Sequence, residues 1–376
     1  MTTDTTFTQA KKGGFKDTLP EELLSNVLKA VYTSVKLDPK LIDDIIVGNV
    51  LPPGGGATAA RMAALAAGIP NTVSIATVNR QCSSGLTSVS QIAQGILSNT
   101  IDIGIGAGVE SMTHGYGAGV MPTKFSEKVL ANQEAEDCLL PMGITSENVA
   151  KKYNLQRSEL DEFAAKSFQK AAHAQKQGWF NGEIVPVSVT TEDGKTVVVD
   201  RDDGVRDGVT KESLGKLKPA FAADGSTHAG NASQVSDGAA AVLLARRSVA
   251  KKLGLPILGK YVVSAVVGVP PSIMGVGPGY AIPKALAKAG LTIDDIDFFE
   301  INEAFASQAL WSVRELGIPD EKVNPHGGAI AMGHPLGATG SRQIATGINR
   351  AKRTGEKIFV TSMCIGSGMV SVRHER

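Results

Sequence analysis

Aromatic residues make up only 5% of this chain of 376 residues, and cysteine occurs three times. So few aromatics argue against an aromatic-rich binding surface. The 42 glycines suit tightly turned α/β units with close backbone packing instead. Cys82, Cys138 and Cys364 are too few and too far apart for a disulfide framework. None sits in a CxxC or a Cys/His cluster with metal-ligand spacing, so reduced thiols in an intracellular compartment and no metal centre are expected. No window approaches the roughly 18 uncharged apolar residues of a membrane span, and the opening stretch lacks a charged start followed by an apolar run; a soluble protein is expected. A dominant charge sign is missing too. The 38 Lys and Arg balance 37 Asp and Glu to a net +1 and are spread along the chain, which excludes the footprint of a nucleic-acid or membrane-surface binder and leaves a small-molecule partner.

What is present is a 42% hydrophobic chain with 20% charged residues, long enough to bury more than one core. Ile42-Asp43-Asp44-Ile45 returns as Ile293-Asp294-Asp295-Ile296, an offset of 251 residues. Each copy leads into a short β-compatible run, Ile46 to Val50 and Asp297 to Asn302. A duplicated α/β unit accounts for this. The same offset carries Cys82 to position 333, beside His334, and both open helix-like segments. A pseudo-twofold axis would bring the two turns together. Between the halves, from Gly115 to about Phe221, the texture changes to that of an inserted domain. A helix is expected from Ser158 to about Gln177, capped by Ser158 and Asp161, with Leu160, Phe163, Phe168 and Ala172 inward and Gly178 at its end. A hairpin is expected over 187–200, turning at Glu192-Asp193-Gly194-Lys195.

Three places carry chemistry. Cys82 stands in Asn79-Arg80-Gln81-Cys82-Ser83-Ser84-Gly85-Leu86, ahead of Leu86, Val89, Ile92, Ala93 and Ile96 at helical spacing. A thiol at a helix N-terminus is expected to have a lowered pKa and act as a nucleophile, the alternative being a small buried hydrophobe. His334 lies in Asn324-Pro325-His326-Gly327-Gly328-Ala329-Ile330-Ala331-Met332-Gly333-His334-Pro335, followed by a proline suited to the first helical position; it is the base candidate, and His326 reads as a turn residue. Cys364, in Ser362-Met363-Cys364-Ile365-Gly366, ends a strand-like run. Gly366 can bring a backbone N–H to a substrate oxygen, and Cys364 can handle a proton.

These segments, with Asn302-Glu303-Ala304-Phe305-Ala306, together resemble the thiolase family over nearly the whole chain. Leu140 to Asn148 and Asn231 to Gly238 are most similar to its peroxisomal 3-ketoacyl-CoA branch. The resemblance implies a thiolase fold, two duplicated βαβαβαββ halves in a five-layered αβαβα arrangement with an inserted loop domain. The N-terminal half would take 1–114 and 222–246, the loop domain 115–221, and the C-terminal half 247–376. It further implies thiolytic cleavage of 3-ketoacyl-CoA to acetyl-CoA and a shortened acyl-CoA through acyl-Cys82, in peroxisomal fatty acid β-oxidation. Coenzyme A would be co-substrate, no cofactor would be bound permanently, and the chain would form a homodimer. Cys82 would be the nucleophile, His334 its base and Cys364 the acid for the enolate. Backbone N–H groups of Cys82 and Gly366 would hold one oxyanion; His334 and a water on Asn302 would hold the other. Met142, Phe221, Ala229, Ser233, Ala304 and Phe305 would line the coenzyme A channel, plain packing being the competing reading for each. Pro141, where short-chain members carry histidine, implies a broader acyl range.

Two departures from the family pattern stand out. Thr2-Thr3-Asp4-Thr5-Thr6 makes a poor core strand, so a central strand is expected to be missing or replaced. After Gly368, Met369-Val370-Ser371-Val372-Arg373-His374 replaces the family's turn and apolar strand, which is expected to shift Gly366. These leave a thiolase-like acyl-CoA binding protein without turnover as one alternative and a biosynthetic acetoacetyl-CoA thiolase as another. Gly104-Ile105-Gly106-Ala107-Gly108 lacks dinucleotide-site spacing. No peroxisomal signal is read at the N-terminus, and the last residues, His374-Glu375-Arg376, are not Ser-Lys-Leu-like.

Overall fold

The structure, a computed structural model, describes residues 2–117, 124–367 and, for the backbone, 369–375. Its strands are β1 (Thr2–Asp4), β2 (Thr8–Gln9), β3 (Asp44–Gly48), β4 (Ser74–Val78), β5 (Ile103–Ser111), β6 (Val187–Thr190), β7 (Thr196–Val199), β8 (Ser236–Ala245), β9 (Tyr261–Gly268), β10 (Phe298–Ile301), β11 (Phe359–Ile365) and β12 (Met369–Glu375). One sheet runs β1-β8-β5-β3-β4, with β2 also on β8, and the other runs β10-β11-β12-β9. The senses correspond strand by strand. β3 is parallel to β5, and β8 is antiparallel to β5 and β1; β10 is parallel to β11, and β12 is antiparallel to β11 and β9. An isolated parallel bridge between Phe299 and Val323 stands where β4 stands in the first half.

The duplication is real, but its register differs from the repeated letters. Asp43 Oδ2 accepts from the N–H groups of Asp102 (2.8 Å) and Ile103 (2.9 Å), and Asp297 Oδ2 accepts from Lys357 (2.7 Å) and Ile358 (2.9 Å). Asp297 is therefore the counterpart of Asp43, three residues beyond the Asp294 that the repeat suggests. Nearer the site, helices Ser84–Leu97 and Leu336–Thr354 begin 252 residues apart, which makes Cys82 and His334 counterparts.

These two helices form the middle layer between the sheets. Helix Pro20–Thr33 covers the outer face of the first sheet and helix Gly277–Ala289 that of the second, giving five layers, αβαβα. The middle packing is backbone against backbone. A Cβ on Gly108 of β5 would lie 2.0 Å from the Gly337 carbonyl oxygen, and one on Gly85 would lie 2.5 Å from the same atom. The alternating glycines of β5 thus serve helix approach, not a dinucleotide. Helix Leu336–Thr354 stops where Gly355 takes φ +79°.

Between β5 and β8 the chain leaves the sheet. The long helix there spans Arg157–Lys176, one residue ahead of the expected start. The Glu159 carboxylate accepts from the Gln156 N–H at 2.8 Å, so Gln156 and Glu159 make the N-terminus, not Ser158 and Asp161. Ala171 and Ala174 are buried where Ala172 is only half-buried. β6 and β7 form the expected hairpin.

The N-terminus corrects the expectation of a missing or replaced strand, and the altered C-terminal sequence still forms one. Thr2–Asp4 pairs antiparallel with β8 and is buried, since β-branched threonines suit an extended backbone and Thr5 Oγ1 accepts from the Ala239 N–H at 2.9 Å. Asp4 is held by Arg342 (Oδ2 to Nε 2.9 Å), which also grips Asp202 through both terminal nitrogens (2.8 and 2.5 Å) and lies over the Phe7 ring at 4.4 Å. β12 lies between β11 and β9 over its whole length, so the altered C-terminal sequence still supplies the strand. Replacing Arg342 with methionine would strand two buried carboxylates and is expected to cost about 3–5 kcal/mol, read from urea unfolding.

Candidate active site

Cys82 sits in the turn between β4 and helix Ser84–Leu97. Gln81 takes φ +49°, and the Asn79 side-chain oxygen accepts its N–H at 2.9 Å. The N–H groups of Ser83 and Ser84 are taken by the carbonyls of Arg80 (3.1 Å) and Gln81 (3.0 Å), so the first donors of the helix do not reach the thiol. The expected lowering of its pKa is not found. Burial pushes the thiol up and Cys364 adds to it, against the opposing Gly366 N–H that bonds the sulfur. Cys82 is half-buried as a residue, yet it packs against the apolar cluster of Leu86, Val89, Val242, Ile344 and Met363, and it rests as a neutral thiol.

His334 follows Gly333, whose φ of +105° and closeness to Ser236 (2.3 Å from a Cβ to Oγ) leave no room for another residue. Its backbone N–H is held by the Gln234 carbonyl (3.1 Å) and Ser236 Oγ (3.3 Å). Nδ1 is 2.6 Å from Thr339 Oγ1, and the Thr339 hydroxyl donates to the Pro335 carbonyl at 2.9 Å. Thr339 must then accept from Nδ1–H, which leaves the lone pair on Nε2. Burial lowers the imidazole to about 4, so it is neutral at physiological pH and able to accept a proton.

Asn302 follows β10, with its N–H on the Ser362 carbonyl at 2.9 Å. Its Nδ2 is 3.3 Å from His334 Nε2 and 3.6 Å from Cys364 Sγ, tying base and second thiol together. Cys364, fully buried in β11, is pushed up to about 11 by burial, against the Asn302 bond. Two neutral thiols, a neutral imidazole and the N–H of Gly366 thus meet at one point, drawn from both halves. Those features suit acyl transfer through Cys82 with a separate proton donor.

The family model of the thiolase N-terminal domain matches residues 1–248 and that of the C-terminal domain 255–373. The chain belongs to the thiolase family. The peroxisomal 3-ketoacyl-CoA thiolase of Yarrowia lipolytica is 59% identical over 369 residues, covering 97% of this chain and 89% of that one. The human peroxisomal enzyme is 56% identical, covering 97% and 87%. Among solved structures, the dimeric peroxisomal thiolase of Saccharomyces cerevisiae superposes with a TM-score of 0.93 at 50% identity, covering 100% of this chain and 95% of its own. A second structure of 3-ketoacyl-CoA thiolase from that yeast, described as five-layered and built from two core domains of identical topology, gives 0.83 at 45% identity, covering 100% and 96%.

Beside the cluster of Cys82, His334, Asn302 and Cys364 in this thiolase, Met142 packs with Ala232, Met274, Ala304, Phe305 and Cys364. Phe221 reaches the same wall, edge-on to Phe305 at 6.4 Å, and lies across Gly143. The half-buried Ser233 joins through its N–H to the Ala304 carbonyl at 2.9 Å, whereas Ala229 is exposed on the turn before Asn231. His326 is buried against Trp179 and Phe180 and serves packing. Sequence reasoning passed over Thr339, one turn past His334 at a spacing that a helix start would have suggested. It also missed Glu110, whose carboxylate accepts from the N–H groups of Val50, Leu51 (both 3.1 Å) and Gly337 (3.0 Å) and clamps the two halves beside the site. Burial pushes Glu110 up to about 7.

Thr339→Val keeps the shape but removes the acceptor for Nδ1–H. We expect kcat to fall by about 10–100-fold with KM little changed, measured in steady-state thiolysis.

Proposed function

We propose that this thiolase is a 3-ketoacyl-CoA thiolase of peroxisomal fatty acid β-oxidation, an acyltransferase that uses coenzyme A as co-substrate and works as a homodimer. The observation that carries the mechanism is the Nε2 lone pair of His334, fixed by Thr339 and shared with Asn302 beside Cys364. As the Cys82 sulfur attacks the 3-keto carbon, its proton passes to His334 Nε2. The C2–C3 bond then breaks, the acyl group stays on Cys82, and the departing enolate of acetyl-CoA takes the Cys364 proton at carbon. The thiol of a second coenzyme A then gives its proton to the Cys364 thiolate and attacks the acyl-enzyme, and the departing Cys82 sulfur takes back the proton held on His334 Nε2 as the shortened acyl-CoA is released. Donors from the Cys82 and Gly366 backbones meet the first oxyanion, and protonated His334 with the Asn302 side meets the enolate oxygen. Met142, Phe221, Ala304 and Phe305 form the wall along which pantetheine would run, with Ser233 and Ala229 further out.

The test is CoA-dependent disappearance of 3-ketoacyl-CoA substrates of four and of eight or more carbons, with the native chain and Cys82→Ala. Loss of both, abolished by the substitution, is the expected result. Turnover of the short substrate alone would assign the chain to acetoacetyl-CoA metabolism. The binding-only reading loses its motive, since β1 and β12 are both in place.

A further inference from the structure

Asn302 also borders a cavity of about 30 Å³, lined by Phe7, Glu300, Asn302, Met332, Thr339 and Gln343, among others, and not by Cys82. That is room for a water molecule. Glu300 is 3% exposed, Asn302 1% and Gln343 9%. Each has one side-chain oxygen, Glu300 Oε1, Asn302 Oδ1 and Gln343 Oε1, without a hydrogen-bond partner among the described residues. The nitrogen ends of both amides are engaged elsewhere, Asn302 Nδ2 with His334 and Cys364 and Gln343 Nε2 with the Glu300 carbonyl at 3.3 Å. The oxygens are what remain for the cavity.

Hydrogen counting decides what these oxygens need. A single water has two hydrogens to give, and the residues that line the cavity offer it three unpartnered acceptors. The third oxygen must carry a hydrogen of its own, and of the three only a carboxyl can. We propose that a buried water occupies this cavity, accepts a hydrogen bond from protonated Glu300 and donates to Asn302 Oδ1 and Gln343 Oε1, making Glu300 a positioning residue for Asn302.

Glu300 suits this part. Burial raises its pKa to about 8, with Glu303 adding to the rise and Arg350, Lys170 and Arg342 opposing it. The water settles a choice that the amide alone leaves open. Were Asn302 to flip, its oxygen would face the His334 Nε2 lone pair and its NH2 the cavity. A donor fixed at Oδ1 holds Nδ2 toward His334 and Cys364, the orientation catalysis needs.

The kinetic part of this inference rests on Asn302 serving the reaction as proposed above; the water site does not. The test combines a high-resolution crystal structure with steady-state thiolysis by Glu300→Gln, Glu300→Met and Asn302→Ala. Density for a water between the three oxygens is expected. Glu300→Gln, whose amide N–H replaces the carboxyl O–H, should keep kcat within about twofold, while Glu300→Met should lower it by about tenfold with KM unchanged. An empty cavity, a Glu300→Gln enzyme as impaired as Glu300→Met, or an unimpaired Glu300→Met would each overturn the proposal. Full activity in Asn302→Ala would instead sink the role given to Asn302, leaving the water to stand or fall on its density.

Discussion

Cys82→Ala is expected to lower CoA-dependent cleavage of 3-ketoacyl-CoA by at least about 10⁴-fold and to leave no acyl adduct in the intact mass after incubation with acetyl-CoA. The size of the loss follows from the chemistry. Without the thiol there is no covalent intermediate to divide the reaction, and under the proposed roles neither Cys364, as the carbon acid, nor His334, as the base, would replace it. The fold should survive, since Cys82 packs at the margin of the cluster of Leu86, Val89, Val242, Ile344 and Met363 and is not one of its fully buried members. The resting state matters as well. With the thiol pushed up by burial and His334 lowered to about 4, no thiolate is stored in the free enzyme. In the proposed mechanism proton transfer accompanies attack on the substrate, when the backbone N–H groups of Gly366 and Cys82 would receive the new oxyanion. Alkylation of the free enzyme by iodoacetamide at neutral pH should therefore be slow. Fast labelling there would contradict a neutral resting pair. Activity should also tolerate acid well below the ordinary histidine value of about 6.5, because His334 gains its proton only near pH 4.

How much of this was legible from residues alone depends on how local the information is. The hairpin expected over 187–200 and the helix behind Cys82 rest on short-range patterns, the duplication on a repeat along the chain, and the structure bears all three out. The register of the repeat did not survive, because four letters can recur anywhere. The true correspondence is written in hydrogen bonds, Asp43 and Asp297 each closing the start of a neighbouring strand. The N-terminal strand was misjudged for a related reason. Thr2 to Thr6 looks polar, but its place is set by Arg342 and β8, both more than 200 residues away. Cys82, His334 and Cys364 each stood out by their glycines. The repeat offset already set the turn of Cys82 beside that of His334, the roles of all three came from the family resemblance, and the lowered thiol pKa inferred from the helix position was wrong because burial outweighs a helix end whose donors are already used.

The proton chemistry divides the reaction, and Cys364→Ala should expose the division. Attack of Cys82 on acetyl-CoA needs only the sulfur, the Nε2 lone pair of His334 and the Gly366 donor, for the leaving coenzyme A thiolate can take back the His334 proton. Carbon-carbon cleavage needs more, since the enolate must be protonated at carbon by a group held there. Cys364, pushed up to about 11 and hydrogen-bonded to Asn302, keeps its proton at neutral pH and can deliver it. The variant should thus lose about 10²–10⁴-fold in thiolysis while still forming the acetyl adduct on Cys82 and exchanging it with labelled coenzyme A. Equal losses in exchange and in cleavage would mean that Cys364 acts through the shape of the pocket, and the assignment of the second thiol as the carbon acid-base would have to be withdrawn.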